Sequence, residues 1–212
     1  MAKSSLSIEQ TRDMMLQVAD AIIVAEPILT DADRALGDGD HGVGMERGMK
    51  AVKEALDGQD FPSVDKVLGG TGSAMMSSMG GASGAIFGTL FRTGGKAAKG
   101  EQTLESAHLG PILTSGLEAI MKRGGAKPGQ KTMIDALDPA ATKAAEVGDL
   151  PINEALDAIA DAAEAGKEAS KSMVATMGRA KTLGEKSVGL PDAGAISVAV
   201  IFGAMRDYAN AE

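Results

Sequence analysis

Apolar residues in this chain keep a helical spacing from one end to the other. Met14, Val18, Ala21, Ile22 and Ala25 recur three and four residues apart, and Met45, Met49, Val52 and Leu56 repeat the pattern. That period places apolar side chains on one face of an α-helix. Ser7 and Gln10 form a capping box that starts the first helix, and Pro27 predicts its end. The same reading gives helices over Val43–Asp57, from Ser63 through Met79, and after Gly84 through Ile86, Phe87, Leu90 and Phe91. Thr103 caps the next, which carries Pro111 and a predicted kink. Thr132 to Val147 (with Pro139), Pro151 to Met177 and Ala195 to Tyr208 complete eight helices. The run Ile196–Phe202 has the β-branched content of a strand, but it would be the sole strand, so it is read as helix. The chain therefore predicts a single all-α domain over residues 1–212, with no linker or internal repeat.

Composition narrows what such a domain can do. Aromatic residues are 2% of the chain, so the core is built from Ala, Leu, Ile, Val and 13 Met. There is no cysteine, which removes disulfides and thiolate metal sites and suits a reducing compartment. The net charge of −8 argues against nucleic acid as a partner. No stretch approaches the roughly 18 apolar residues of a membrane span, and no signal peptide precedes the first helix. The cytoplasm is the expected compartment. The 28 glycines cluster between helical stretches, which suggests loops where backbone approaches a ligand.

One stretch carries most of the chemistry: Asp31-Ala-Asp33-Arg-Ala-Leu-Gly37-Asp38-Gly39-Asp40-His41-Gly42. Carboxylates packed this closely repel unless a cation sits among them, and hard oxygen ligands suit Mg²⁺ or Ca²⁺. Asp33, Asp38 and Asp40 are the candidate ligands, brought together if the chain turns at Gly37 and Gly39. An EF-hand does not fit, since a loop begun at Asp31 has Leu36 at its glycine position and one begun at Asp38 has Met49 at its glutamate position. A solvated acidic loop is the plain alternative. His41, flanked by carboxylates, is expected to hold its proton, whereas His108 is read as structural or exposed. Gly80-Gly-Ala-Ser83-Gly before an apolar helix resembles an anion-binding helix start. No Walker motif, dinucleotide fingerprint or nucleophile elbow occurs. The segment Gly178–Gly194 is too long for a mere connection. Its Arg179 and Lys181 are either phosphate cations or ordinary surface charge.

Four motifs then carry a resemblance. Gly37-Asp-Gly-Asp-His-Gly42, Gly80-Gly-Ala-Ser-Gly84, Lys127-Pro-Gly-Gln-Lys-Thr-Met133 and Pro191-Asp192-Ala193-Gly194 occur in the order found in the nucleotide-binding subunit L of bacterial dihydroxyacetone kinases. The resemblance covers essentially the whole chain. It implies a barrel of eight antiparallel helices with ADP or ATP in a pit at one end, its phosphates held through two Mg²⁺ on Asp33, Asp38 and Asp40. His41, Gly42 and Gly44 would lie against the nucleotide, Ala82 and Ser83 against phosphate, and Gly124 and Met133 at the base or ribose. Arg179 would face the phosphates, and Asp192, Ala193 and Gly194 would form a capping loop. Gly44 stands where a relative carries Asn, and Ala193 where Pro is frequent, which implies a more mobile loop and leans towards an exchangeable nucleotide. The implied partners are a subunit holding dihydroxyacetone, a phosphotransferase-system phosphodonor and a second copy of the chain. A tetrulose kinase subunit, a nucleotide-sensing module docking on a transcription factor, and a Ca²⁺-binding structural domain are the other readings.

Overall fold

The computed structural model describes residues 3–211. Helix α1 (Ile8–Val24) opens with the expected capping box, Ser7 and Gln10 exchanging side-chain-to-backbone bonds. Helix α1 ends at Val24, just before Pro27 as expected, but a further helix rather than a loop follows. Pro27 sits in the first turn of α2 (Glu26–Leu36), where a missing N–H costs nothing because that donor has no partner in a helix anyway. The chain bends at Ala25, which closes α1 and opens α2.

Helices α3 (His41–Leu56), α4 (Val64–Ser78), α5 (Gly81–Gly94), α6 (Ser106–Gly124), α7 (Ile134–Glu146), α8 (Ile152–Ser170) and α9 (Ala193–Asn210) follow. Each packs on the next, and α9 returns onto α1, which also packs on α3. The circuit α1–α3–α4–α5–α6–α7–α8–α9 thus closes on itself, while α2 lies outside it against α3 and α9. One apolar core runs through the circuit, from Leu6 to Ala209. Several expected boundaries move, and α5 begins at Gly81 rather than after Gly84. Helix α3 begins at His41 rather than Val43, and α7 begins at Ile134 rather than Thr132. Helix α8 ends at Ser170 rather than Met177, and α9 begins at Ala193 rather than Ala195. Thr103 does not cap a helix. With Leu104 it pairs antiparallel to Leu6–Ser7, a two-residue ladder that ties the entry of α1 to the entry of α6. Glu105 and His108 cap α6 instead, the Glu105 N–H donating to His108 Nδ1 at 3.1 Å. His108 is therefore structural.

Many glycines turn out to serve helix packing rather than ligand loops. A Cβ on Gly72 of α4 would fall 2.6 Å from Gly88 O of α5, and one on Gly88 would fall 2.7 Å from Gly72 O. The two backbones touch there. Gly94 meets Ile112 O of α6 in the same way, at 2.6 Å. With few aromatic side chains to fill space, close backbone approach is how this interior reaches the density of a protein core.

Candidate functional site

The α2–α3 corner builds the first wall of the site. Asp33 lies in the last turn of α2, and Gly37 closes that helix. Gly39 takes φ +77°, a left-handed turn that a side chain would disfavour, and a Cβ there would also strike Arg34 Cγ at 2.5 Å. The turn brings carboxylate oxygens of Asp33, Asp38 and Asp40 within 4.8 Å of one another. Asp40 stands at the N-cap of α3 but makes no side-chain cap bond, so its carboxylate is free to join the cluster. Asp33 Oδ2 accepts from the His41 N–H at 3.1 Å. Among the described residues a single cation pairs with the cluster, Arg179 Nη1 at 2.8 Å from Asp38 Oδ2. Three convergent hard donors with so little internal compensation have the chemistry of a divalent-cation site. Asp31 is not part of it, being exposed and paired with Arg34 at 3.1 Å.

His41 departs from the expectation that it holds its proton. It is buried, and desolvation lowers its pKa despite the opposing pull of Asp33 and Asp40. In a low-dielectric setting the cost of the charged form outweighs neighbouring carboxylates that stay near solvent. Its Nε2 contacts Ser197 Oγ at 2.8 Å, and the Ser197 hydroxyl donates to Ala193 O at 3.1 Å. Ser197 Oγ then accepts a hydrogen bond from Nε2–H, so Nδ1 is left as an acceptor 3.4 Å from Ser83 Oγ. Nothing in the sequence singled out Ser197, which lies far along the chain in α9.

Ser83 belongs to the second wall, the start of α5. Gly80 and Gly81 take φ of +72° and +61°, and no side chain caps the helix. The first backbone N–H groups, at Ala82 and Ser83, are thus open donors at the positive end of the helix dipole. Arg47 fixes this turn, bonding Ser78 O at 2.7 Å and also Met79 O.

A cavity of about 890 Å³ lies between these walls and a third one. The third wall comes from Gly124 at the end of α6, Lys131 and Met133 before α7, Arg179, and Asp192, Ala193 and Gly194 at the start of α9. Thus Asp33, Asp38, Asp40, His41, Gly44, Ala82, Ser83, Gly124, Met133, Arg179, Asp192, Ala193 and Gly194 all line one cavity. Gly42 does not. A Cβ on it would fall 2.5 Å from Glu26 O, so Gly42 serves the α2–α3 crossing. Lys181 is exposed and off the cavity.

Asp192 and its neighbours do not form a mobile loop. Asp192 is the N-cap of α9, accepting from the Ala195 N–H at 2.9 Å, and Ala193 and Gly194 are helical. The mobility inferred from Ala193 in place of proline loses its basis. Burial raises the Asp192 pKa to about 6, opposed by bonds from Ala195 and Gly194 and by the charge of Lys131. Burial likewise lowers Lys131, while Asp192 and Asp135 pull its proton back. Lys131 stands within the Lys127–Met133 motif but received no role there, since a lysine between Gln130 and Thr132 reads as surface charge.

With this geometry in place, comparisons with known proteins acquire a physical basis. A family model described as the DAK2 domain matches residues 35–207. The ADP-binding subunit DhaL of PEP-dependent dihydroxyacetone kinase 1 from Listeria innocua is 40% identical over 178 residues, covering 84% of this chain and 85% of that one. The ADP-binding subunit DhaL of the PEP-dependent enzyme of Escherichia coli is 36% identical over 196 residues, covering 92% and 93%. An L-erythrulose kinase of Pectobacterium atrosepticum is 35% identical over 200 residues, which are 91% of this chain but 33% of the kinase. The crystal structure of the dihydroxyacetone kinase from C. freundii in complex with AMP-PNP and Mg²⁺ superposes with a TM-score of 0.72 at 28% identity, over 93% of this chain and 33% of that one.

Proposed function

This chain belongs to the DAK2-domain family, and from that membership we propose that it is the nucleotide- and Mg²⁺-binding subunit of a dihydroxyacetone kinase. A partner subunit would hold the ketose. The observation that carries the reading is the facing of three convergent carboxylates and an uncapped helix N-terminus across one cavity.

Asp33, Asp38 and Asp40 would hold two Mg²⁺ ions, which supply neutralising charge to phosphate oxygens when bound. The Ala82 and Ser83 N–H groups and the Ser83 hydroxyl would donate to a phosphate of the nucleotide. Arg179 would turn from Asp38 towards the phosphates once metal occupies the carboxylates. His41, neutral and fixed by Ser197, would hold the Ser83 hydroxyl rather than contribute charge. Gly124, Met133 and the apolar residues beside them would take the nucleoside. Phosphoryl transfer asks mainly for such positioning and charge neutralisation. No further catalytic side chain is assigned.

The relatives that this chain spans nearly end to end carry names of ADP-binding, PEP-dependent subunits. They support a nucleotide retained as ADP and recharged by a phosphodonor subunit. Mass spectrometry of the purified protein after exhaustive dialysis tests this. Retained ADP is expected, and a nucleotide-free protein that turns over free ATP would refute the relay.

The erythrulose kinases among the relatives favour a second reading in which the partner presents a tetrulose. A coupled assay with the cognate partner, run on dihydroxyacetone and on erythrulose, separates the two. Calorimetric titration with ADP and Mg²⁺ tests the shared core of both readings. Undiminished affinity in folded Asp38→Ala and Asp40→Ala variants would overturn it, and so would Ca²⁺ binding with no response to nucleotide.

A further inference from the structure

Lys131 is a buried titratable group at the cavity that the proposed chemistry leaves unused. It is 1% exposed. Its φ of +60° makes it the sole non-glycine residue in the left-handed region among the described residues. Such a backbone persists only where its surroundings hold it. Its ammonium donates to Ser170 O at 2.6 Å and reaches Lys171 O at 3.5 Å. These carbonyls end α8, where acceptors lack helical partners and the dipole favours a cation.

Two further segments meet at the same point. The Asp192 N–H donates to Ser170 Oγ at 3.4 Å, and the Asp192 carboxylate, half-buried at the cavity wall, caps α9. Asp135 accepts from the Gly129 and Thr132 N–H groups at 2.5 and 2.7 Å, which fixes the loop that carries Lys131. Both carboxylates attract the ammonium through space. The loop before α7, the end of α8 and the start of α9 therefore converge on one cation. Met133 and Gly194, from two of these segments, face the cavity and each other, a Cβ on Gly194 falling 3.0 Å from Met133 Cβ.

Stability alone does not call for this arrangement. Buried ions lose hydration, and apolar replacements of similar volume are often neutral or stabilising. A carboxylate left unbalanced at this wall would, however, repel an anionic ligand across a poorly screened distance. We propose that Lys131 is a positioning residue whose ammonium balances Asp192 and locks the three segments into the wall that the nucleotide meets. This rests on the nucleotide-binding reading above.

A double-mutant cycle tests it, with ADP and Mg²⁺ titrated calorimetrically into the wild type, Lys131→Met, Asp192→Asn and the double variant, and thermal unfolding followed in parallel. Lys131→Met is expected to weaken ADP at least tenfold. With the second charge removed, the double variant is expected to bind ADP at least fivefold more tightly than Lys131→Met, since Asn still caps α9. Loss of packing alone would not be rescued by a change at Asp192. The proposal is overturned if folded Lys131→Met binds within twofold of the wild type, or if the double variant binds no better than Lys131→Met. Should Lys131→Met not fold, the double variant decides, because charge balance requires it to fold and bind, and its failure to do either refutes the proposal. A wild type that does not bind ADP would instead refute the nucleotide reading itself.

Discussion

The two charged walls of the cavity are built on opposite plans. The carboxylate wall comes from one short stretch, Asp33 to His41, and its charges face the cavity with one arginine to offset them. The Lys131 wall comes from three stretches, and its charges are wholly or partly buried and answered by backbone groups. The first wall is left incomplete by the chain and calls for a cation from solution. The second is complete and needs nothing but a ligand of the right shape. They touch through Arg179 and Asp38. An open charge cluster is thus a binding element, whereas a satisfied buried one is scaffolding for binding.

The largest effect expected is at the carboxylate wall. Asp38→Ala or Asp40→Ala should remove Mg²⁺-dependent ADP binding, by about a hundredfold or more, while the fold stays intact because these carboxylates are mutually repulsive without metal. Calorimetry and circular dichroism check it. A large loss of fold would place these residues with the buried wall instead.

Next comes the pH dependence of the buried wall. The Asp192 pKa rises from 3.8 to about 6 in the folded chain, so the folded state binds that proton more tightly than the unfolded state. Its contribution to stability is complete below the unfolded value and is lost as pH rises through about 6, on the order of 3 kcal/mol. Asp192→Asn should be stabilised relative to the wild type as pH goes from 5 to 8 in chemical denaturation. Parallel pH profiles would break the contrast between the walls.

A pair of glycines sharpens the contrast further. Gly166 of α8 packs on Asp135 O of α7, and its Cβ would also fall 2.7 Å from Pro139 Cγ. Gly166→Ala should cost about 1–3 kcal/mol by forcing α7 and α8 apart, and should weaken ADP through Asp135. Gly44 of α3 has nothing nearer than Met79 O at 3.8 Å. Gly44→Ala should instead stabilise by about 0.5–1 kcal/mol, as alanine does within a helix. Thermal melts of both variants check the sign.

The smallest effect is at the junction. Arg179 is largely exposed, so Arg179→Ala should change stability by less than about 1 kcal/mol. ADP affinity should fall severalfold while the metal requirement remains. A strongly destabilised variant would mean that the walls are bonded rather than merely adjacent.

What was legible in the residues followed sequence distance. The helical period, the Ser7–Gln10 cap, the acidic turn and the Gly80–Ser83 helix start are local, so spacing alone reveals them. Pro27 marked the end of α1 but gave no sign of α2, because a proline suits a helix start as well as a helix stop. The glycines misled because a helical glycine looks the same in sequence whether it meets solvent, ligand or another backbone, as Gly72 meets Gly88.

The sequence by itself determined an all-α chain and a hard-cation turn, because both depend on residues within one or two helical turns of each other. Tertiary structure alone decided that His41 is neutral, that Ser197 orients it, and that Lys131 and Asp192 meet at one wall. Burial and long-range pairing set those states, since the cost of a charge depends on what surrounds it in space. Residues 41 and 197, or 131 and 192, become neighbours only when the circuit of helices closes.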